Sequence, residues 1–492
     1  MKFVSTRNSK LEVSGAQAVV KGLSEEGGLF VPAFFPEITK ADLDEMRDMS
    51  YDERSAFVIG KYLPELAGDL NEYTKKAYAR FDGDPAPLVM LEEDLGILEL
   101  WHGPTHAFKD IALTLLPYLL TGSKKAIGKT EKTLILVATS GDTGKAALEG
   151  FSGVAGTDII VFYPVEGVSK LQKLQMMTQK GDNVYVAAIR GNFDDAQTAV
   201  KKIFTDKSFS AELKTHGVEL SSANSINFGR LVPQVAYYFS AYLDLLNEGK
   251  IKDGEKVNFC VPSGNFGNIL AGYYAKRMGL PVGKLICASN KNNVLTDFIG
   301  SGKYDARREF YKTTSPSMDI LISSNLERLV YELSDRNDDL TASRMASLSK
   351  TGSYEITKPE LDALEADFWA ACASEDEVAD TIADYFDEYG YIADPHTAVG
   401  LCVRDKYIGE TGDDTVTVVL STASPYKFVD SVLKDIGETV GSDELDNLKK
   451  LEEVTALPLP ETLGELTSLP VRFTDVIDPA DAPETVMNYV KK

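Results

Sequence analysis

Cysteine and histidine are both scarce in this chain of 492 residues, with four of each. The cysteines lie far apart and form no C-x-x-C pair, which argues against a disulfide framework and against a zinc site. So few histidines leave little scope for a metal site built from several of them, and we predict no metal. We expect each cysteine to be a small buried residue in a reducing compartment. They are Cys260, Cys287, Cys372 and Cys402.

Long apolar runs and an excess of basic charge are also missing. No apolar run is long enough to cross a bilayer, and the N-terminal stretch MKFVSTRNSKLEV has no signal-peptide pattern. The 75 acidic residues outnumber the 51 basic ones, giving a formal net charge of −24. This charge opposes non-specific attraction to nucleic acid and to anionic membranes. We therefore predict a cytoplasmic protein, large enough to be an enzyme, without a nucleic-acid or membrane partner, and no obligate protein partner is evident.

What the sequence does contain, from Val89 onward, is an alternation of apolar strand patterns and helical patterns. Such alternation predicts an α/β fold with mainly parallel sheets covered by helices on both faces. Buried strands are predicted at 133–138, 158–163, 183–188, 256–261, 284–289 and 415–420, and helices between them, for example at 196–205 and 231–246.

Three regions are predicted along the chain. Residues 1–90 form an N-terminal α/β unit, which includes mostly amphipathic helix over 40–81. Residues 91–225 form a smaller α/β domain, and residues 226–492 a larger one. A change to charged helical sequence with few strand signals predicts a helical insertion at about 334–388, and an acidic, proline-bearing tail follows Thr439.

Two glycine-rich loops each follow a predicted strand and run straight into a helix. They are Thr139-Ser140-Gly141-Asp142-Thr143-Gly144 and Ser263-Gly264-Asn265-Phe266-Gly267-Asn268. Free amides and the positive end of a helix dipole suit such positions to anions, and glycine lets an anion approach closely. Taken alone, either loop is about as well explained by a tight turn. Together they suit a ligand with two anionic groups, or two ligands.

Two common nucleotide motifs do not fit these loops. Gly144-Lys145 resembles the end of a Walker A motif, but Thr139 stands where its first glycine belongs, and Ala146 replaces the magnesium-binding hydroxyl. The pattern GxGxxG is absent from both loops. ATPase and NAD-binding interpretations are weakened accordingly.

Lys109 lies in the segment HGPTHAFKD, at or near the start of a helix predicted over 111–120. The helix dipole there lowers the pKa of a lysine and helps to supply the neutral amine that Schiff-base chemistry needs. Taken alone, however, a lysine at a helix start is usually a surface cation.

The order of several motifs changes that assessment. HGPTHAFKD, ATSGDTGKAA, NSINFGR, PSGNFGN, PSMDILISSNLERL, DPHTAVG and LSTASPYKF, with the opening STR and GLSEEGGLFVP, resemble the threonine synthase family. These are pyridoxal-phosphate enzymes of the tryptophan-synthase-β fold type. The resemblance covers nearly the whole chain, except for parts of the helical insertion and the tail.

The resemblance implies a set of site residues. Lys109 would form the Schiff base with pyridoxal 5′-phosphate and relay protons at the substrate carbons. Thr422 would hydrogen-bond the pyridine nitrogen, and the amides of Gly264, Asn265, Phe266, Gly267 and Asn268 would hold the cofactor phosphate. The loop Thr139, Ser140, Gly141, Asp142 and Thr143 would bind the substrate carboxylate. Asp142 is awkward there because like charges repel, so we expect its side chain to point away, toward a lysine or the loop backbone.

The implied reaction converts O-phospho-L-homoserine and water into L-threonine and phosphate. By motif, the candidates for holding the departing phosphate are Lys145, Ser225, Asn227 and Arg230, with Lys427 as an additional one. For Arg230 an interdomain ion pair is an equally good interpretation. We assign His396 no catalytic role, because a lone histidine is most often a structural hydrogen-bonding residue.

Three residues depart from the patterns common in that family: His106, Ser424 and Tyr426. They leave the polarity of the cofactor pocket and the details near Lys427 open. Two alternative functions also remain. One is a phospholyase that releases 2-oxobutyrate and ammonia, and the other is a non-catalytic sensor, which we would expect to have lost Lys109 or the second glycine loop.

Overall fold

The computed structural model describes residues 1–139, 141–166 and 168–492. Its strands, in chain order, are β1 (Lys2–Ser5), β2 (Asn8–Ser14), β3 (Phe30–Pro32), β4 (Leu88–Met90), β5 (Leu95–Glu99), β6 (Lys132–Ala138), β7 (Thr157–Pro164), β8 (Val184–Ile189), β9 (Val218–Ser221), β10 (Val257–Pro262), β11 (Val282–Ser289), β12 (Lys303–Asp305), β13 (Ser353–Glu355), β14 (Phe368–Cys372), β15 (Thr417–Ser421) and β16 (Val476–Ile477).

The α-helices are α1 (Gly15–Lys21), α2 (Lys40–Met46), α3 (Tyr51–Tyr62), α4 (Leu70–Tyr78), α5 (Lys109–Leu113), α6 (Leu116–Ala126), α7 (Asp142–Phe151), α8 (Lys170–Met177), α9 (Phe193–Thr205), α10 (Lys207–Thr215), α11 (Phe228–Asn247), α12 (Gly267–Arg277), α13 (Val294–Ser301), α14 (Leu326–Leu333), α15 (Asp338–Thr351), α16 (Lys358–Asp367), α17 (Glu375–Tyr389), α18 (Pro395–Thr411), α19 (Val429–Asp435), α20 (Glu444–Thr455), α21 (Glu461–Gly464) and α22 (Ala482–Val490). Short 3₁₀ turns occupy Pro64–Leu66, Pro316–Met318, Pro425–Phe428, Leu466–Ser468 and Pro479–Asp481.

Two mainly parallel sheets dominate the fold. The larger has six strands in the order β14-β11-β10-β15-β5-β4, and only the edge pair β4–β5 is antiparallel. The smaller has five parallel strands in the order β16-β8-β7-β6-β9. Strands β1 to β3 form a separate antiparallel sheet, and β12 pairs with β13. Ligands of open parallel sheets bind beyond the carboxyl ends of strands, so a ligand site is expected at the loops after β5, β6, β10 and β15.

Helix α11 is the most buried of the long helices, because its sequence is apolar around almost its whole circumference. Apolar side chains on every face are typical of a helix enclosed by other elements. It packs against α3, α5 and α12, so it joins the N-terminal unit to both the lysine-bearing helix and the loop after β10. Helix α11 therefore holds the helix that carries Lys109 and the loop after β10 in fixed positions.

The predicted α/β fold is confirmed, and every predicted buried strand is present within two residues of its predicted ends. The segment 334–388 is mostly helical, but it also contains β13 and β14, and β14 pairs with β11 at the edge of the larger sheet. The sequence FWAAC gives little strand signal, since it shows neither alternation nor a β-branched run.

Sheet membership crosses the predicted domain boundaries at three strands. β4 and β5 precede the lysine helix in the chain but belong to the larger sheet, and β16 in the tail pairs with β8 of the smaller sheet. The boundaries at 90/91 and 225/226 therefore stay predictions. Within the described ranges, no helix combines the length and hydropathy needed to cross a membrane.

Candidate active site

Lys109 is the first residue of α5, at the N-terminal end predicted for it. Its Nζ donates a hydrogen bond to Ser317 Oγ at 3.1 Å. Burial lowers the pKa of Lys109, the positive charges of Lys427 and Arg230 lower it further, and Asp142 only partly opposes them. A larger fraction of this amine is therefore neutral than on a surface lysine, and nucleophilic chemistry requires the neutral form.

The turn before Lys109 is held by Asp110, whose carboxylate accepts the Thr105 amide at 2.7 Å and the Thr105 hydroxyl at 2.6 Å. Asp110 has no solvent exposure, and this burial raises the pKa of its carboxyl to about 6. At Gly103 an added Cβ would lie 2.5 Å from Asp110 Cβ, so only glycine fits. The turn therefore fixes where α5 begins and where Lys109 is placed.

His106 adopts a left-handed backbone conformation, with φ of 58°, which is uncommon outside glycine. Its Nε2 lies 2.6 Å from Oγ1 of Thr462, which belongs to α21 in the C-terminal tail. Burial, together with the nearby Lys427, lowers the pKa of His106 to about 3, so the imidazole is neutral. The polar residue that departs from the family pattern thus ties the turn before Lys109 to the tail.

The loop after β10, residues 263–268, is called the Gly264 loop below. Among the described residues, none of the five amides from Gly264 to Asn268 has a hydrogen-bond acceptor. Phe266 has φ of 62°, and an added Cβ at Gly264 would lie 2.7 Å from the carbonyl oxygen of Ser317. The side-chain oxygen of Asn268, Oδ1, accepts the hydroxyls of Tyr237 and Tyr238, whereas its side-chain nitrogen is buried without a partner among the described residues. Such a cluster of free donors at a helix N-terminus is an anion-binding site.

The loop after β6, residues 139–144, is called the Gly141 loop. Ser140 lies outside the described residues. Thr139 Oγ1 accepts the amides of Gly141 and Gly144, both at 3.0 Å. The amides of Asp142 and Thr143 have no acceptor among the residues that the structure describes, and they begin α7. Among its described residues, this loop thus uses the Thr139 hydroxyl for its shape and leaves the amides of Asp142 and Thr143 free.

Charged residues around the Gly141 loop are paired. Asp142 Oδ1 lies 3.0 Å from Lys427 Nζ, and the two side chains are only 11% and 4% exposed. The expectation that Asp142 points toward a lysine is confirmed. Burial acts to raise the pKa of Asp142, but Lys427 and Lys109 outweigh it and hold the pKa below its usual range. Lys145, predicted as a phosphate contact, pairs with Glu149 at 3.2 Å and with Gln179 at 2.5 Å.

The remaining predicted substrate residues lie at the start of α11 and just before it. Asn227 caps α11: its Oδ1 accepts the Gly229 amide at 2.8 Å, and its Nδ2 donates to the Val19 carbonyl at 3.0 Å. Ser225 lies in the preceding turn and is partly exposed. Arg230 is only 4% exposed, and it donates one hydrogen bond, from Nη1 to the Ala223 carbonyl at 2.6 Å. In the described part of the chain its guanidinium meets no carboxylate, and its Nε has no partner.

Thr422 follows β15 directly, beside the Gly264 loop, because β15 and β10 are neighbouring parallel strands. Its carbonyl accepts the Phe108 amide at 2.9 Å, and its own amide donates to Thr397 Oγ1 at 3.3 Å. The Thr422 hydroxyl has no hydrogen-bond partner within the described ranges. The strand end thus presents a free hydroxyl next to the segment that carries Lys109.

Comparison with known proteins identifies the family. Three family models match along the chain: "Threonine synthase N terminus" over residues 2–78, "Pyridoxal-phosphate dependent enzyme" over 85–422 and "Threonine synthase, C-terminal" over 397–490. The curated threonine synthase of Saccharomyces cerevisiae is 38% identical over 520 residues, covering 100% of this chain and 97% of that protein. The chain belongs to the threonine synthase family.

Two further relatives add detail. The crystal structure of a threonine synthase from Brucella melitensis, described as bound to PLP, has a TM-score of 0.90 and 37% identity, with all of both chains covered. The human protein "Threonine synthase-like 1" is 40% identical over 94% of this chain. The chain spans 65% of the length of that human relative.

Pyridoxal 5′-phosphate is the cofactor of this family, and the described residues fit it. The free amides of the Gly264 loop and the buried Asn268 nitrogen suit its phosphate. Lys109 is a buried amine of lowered pKa, and Thr422 supplies a hydroxyl without a protein partner. No cluster of metal-binding side chains occurs in the described part of the chain.

Sequence reasoning missed Ser317, which contacts Lys109, and it left His396 and Asp394 without a role near the site. All three lie in motifs that carried the family resemblance, PSMDILISS and DPHTAVG. The signal was therefore present, but a motif alone does not tell which of its residues faces the site.

Proposed function

We propose that this chain is a threonine synthase that converts O-phospho-L-homoserine and water into L-threonine and phosphate. The observation that carries the proposal is Arg230, a buried guanidinium without a carboxylate partner among the described residues, close enough to Lys109 to lower its pKa. Burying an unpaired charge is costly, so such a group is typical of a site that binds an anion. A dianionic phosphate ester offers that anion.

Each residue has a task in this proposal. Bound pyridoxal 5′-phosphate supplies the electron sink that lets the substrate lose its α proton. Lys109 Nζ accepts one proton from the α carbon and one from the β carbon, and two protons return, one to the γ carbon after phosphate has left and one to the α carbon. Arg230 holds the γ-phosphate as its C–O bond breaks, because a fixed cation stabilises the charge that develops on the leaving oxygen. Water then adds at the β carbon.

Two loops orient the substrate and the cofactor. The amides of Asp142 and Thr143 are available for the substrate carboxylate, while Lys427 neutralises the Asp142 side chain that would otherwise repel it. The Gly264 loop would hold the cofactor phosphate, and the Thr422 hydroxyl would bond the pyridine nitrogen. A neutral hydroxyl does not force protonation of that nitrogen, so it tunes the electron sink.

The test incubates the protein with O-phospho-L-homoserine, with and without added cofactor, and identifies products by chromatography. We expect L-threonine and phosphate in equal amounts. 2-Oxobutyrate without threonine would instead establish a phospholyase, and no turnover at all would contradict the proposed enzyme.

Variants of arginine test the phosphate site. Arg230→Gln should lower kcat/KM about 100-fold, the usual cost of removing one donor to a developing charge. Arg190→Gln is the matched control, because Arg190 lies on the surface and pairs with the exposed Asp478. Equal activity of the two variants would remove Arg230 from the phosphate site.

A further inference from the structure

Ser317 joins two groups that lie in different parts of the chain. Its Oγ accepts a hydrogen bond from Lys109 Nζ at 3.1 Å, and its amide donates to Nε2 of His396 at 3.2 Å. The other ring nitrogen of His396, Nδ1, lies 2.7 Å from Oδ1 of Asp394. A continuous chain of hydrogen-bonded groups thus runs from Asp394 to Lys109.

The hydrogen bonds fix the form of the imidazole. Because the Ser317 amide can only donate, Nε2 of His396 must present its lone pair there. The ring proton therefore sits on Nδ1 and points to Asp394, which sets the tautomer and the orientation of the ring. Phe428 packs against the ring, with centroids 4.8 Å apart, and limits its rotation further.

Asp394 also reaches the other side of the site. It is fully buried and caps α18, accepting the amides of His396 and Thr397 at 2.9 and 3.2 Å. The Thr397 hydroxyl donates to Asp394 Oδ2, and Thr397 Oγ1 accepts the amide of Thr422 at 3.3 Å. The Asp394 carboxylate therefore acts in two directions: through His396 it holds Ser317, which contacts Lys109, and through Thr397 it holds the backbone of Thr422.

A helix cap alone does not explain this arrangement. The two amides already satisfy the capping requirement of Asp394, and neither needs an imidazole. The far nitrogen of His396 instead crosses to the 3₁₀ turn Pro316–Met318, whose serine touches Lys109. The imidazole is thus placed where it sets the position of one active-site hydroxyl.

We propose that Asp394 and His396 are positioning residues that hold Ser317, and that Ser317 Oγ holds Lys109 Nζ in line with the substrate protons. The inference rests on the proposed function, in which Lys109 transfers those protons. Small displacements of a reacting group reduce rates by about two orders of magnitude, and partners one step removed from the reacting group cost about 10- to 100-fold when lost.

Two replacements of His396 separate its two hydrogen bonds. His396→Gln keeps an acceptor near the position of Nε2, whereas His396→Asn keeps a donor near Nδ1 but loses the acceptor for Ser317. If His396 only supported the fold through its bond to Asp394, the Asn variant, which keeps that bond, would be more active than the Gln variant. His216→Asn is the matched control, because His216 is exposed at the end of α10.

The decisive readout is the exchange of the α proton with D₂O, followed by NMR. The probe is L-2-amino-5-phosphonopentanoate, in which CH₂ replaces the ester oxygen, so that phosphate cannot leave. Proton transfer by Lys109 is then measured separately from threonine formation. kcat and KM for O-phospho-L-homoserine and cofactor content from absorbance complete the set.

We expect His396→Asn to slow both exchange and kcat about 30- to 100-fold, with KM within threefold and cofactor content unchanged. His396→Gln should stay within fivefold of the wild type, and His216→Asn should match it. Equal rates for the Asn and Gln variants, or a loss that only follows cofactor release, would overturn the inference. A wild type that exchanges the proton but forms no threonine would contradict the proposed function alone.

Ser317→Ala provides an independent variant, because it removes the hydroxyl and keeps the amide. It should show the same loss as His396→Asn, and the double variant should be no slower than either single one, since both act through one contact. If His396→Asn does not fold, Ser317→Ala decides by itself: exchange at the wild-type rate overturns the inference.

Discussion

The Gly264 loop and the Gly141 loop look alike in sequence, yet their described residues differ in how many backbone amides they leave without an acceptor. In the Gly264 loop five consecutive amides lack an acceptor among the described residues. In the Gly141 loop Thr139 occupies two amides, and Lys427 and Gln172 hold the Asp142 side chain. One loop is an open anion site, and the other is kept in shape by its own Thr139 and by side chains from neighbouring segments.

The difference follows from the residues between the glycines. No charged residue occurs in SGNFGN, so the loop offers a ligand its backbone amides and the neutral Asn268 side chain, and backbone amides suit a permanently bound phosphate. The Gly141 loop carries an aspartate whose charge must be neutralised before a carboxylate can approach. A buried ion pair at 3.0 Å achieves this, and it also connects the loops of the two sheets.

Breaking that ion pair should have the largest effect. Lys427→Met leaves the Asp142 carboxylate buried without its cation and removes the bond from Lys427 to the Thr105 carbonyl at 2.8 Å. We expect the free energy of unfolding in urea to fall by about 3 kcal/mol. Lys145→Met should cost about 1 kcal/mol or less, since its pair with Glu149 is more exposed. Equal losses in the free energy of unfolding would mean that the more buried Lys427–Asp142 pair stabilises the protein no more than the Lys145–Glu149 pair does.

Filling the open loop should weaken cofactor binding. In Gly264→Ala the new Cβ would lie 2.7 Å from the backbone oxygen of Ser317, which cannot swing away as a side chain can. We expect the dissociation constant of pyridoxal 5′-phosphate, measured by absorbance titration of the apoprotein, to rise about 100-fold. Gly409→Ala in α18, where an added Cβ meets nothing within 4 Å, is the control. Wild-type affinity for both would show that the loop does not hold the phosphate.

Removing the hydroxyl that shapes the other loop should cost somewhat less. Thr139→Val leaves the amides of Gly141 and Gly144 without their acceptor, while Thr139→Ser keeps it. We expect a loss of about 2 kcal/mol in the free energy of unfolding for valine and less than half of that for serine. If the two variants are equally stable, the hydroxyl does not hold the loop.

The pH dependence of Asp142 should give the smallest effect. A carboxyl whose pKa is lowered by folding adds stability above its unfolded pKa of about 4, and this stability is lost as the pH falls through the folded pKa. The stability difference between the wild type and Asp142→Asn should therefore shrink by about 1 kcal/mol between pH 5 and pH 3. The exposed Asp478, replaced in the same way, is the control. A difference that stays constant over this range would contradict the lowered pKa.

Much of this arrangement could be predicted from the sequence, and the reasons are local. Apolar runs fixed the strands, and glycines at strand ends located both loops. The sequence could not show which amides of a loop are free, because that depends on side chains such as Thr139. Nor could it show contacts between distant segments, such as His106 with Thr462 or Lys109 with Ser317, since no local pattern encodes them.

The departures from the family pattern became interpretable only in three dimensions. His106 is buried and neutral and binds the C-terminal tail, so it adds no charge beside Lys109. Tyr426 is also buried, and its hydroxyl donates to the Leu457 carbonyl of the same tail at 2.5 Å. Both residues hold the tail against the segments that flank the site, which explains their polarity.

The central claim is that Lys109 is the amine that carries the cofactor, beside an open phosphate loop. Borohydride reduction of the protein loaded with pyridoxal 5′-phosphate, followed by peptide mapping with mass spectrometry, tests it directly. We predict that the cofactor mass is found on the peptide that contains Lys109, and that Lys109→Ala abolishes this labelling. Labelling of another lysine, or no stable adduct at all, would contradict the claim.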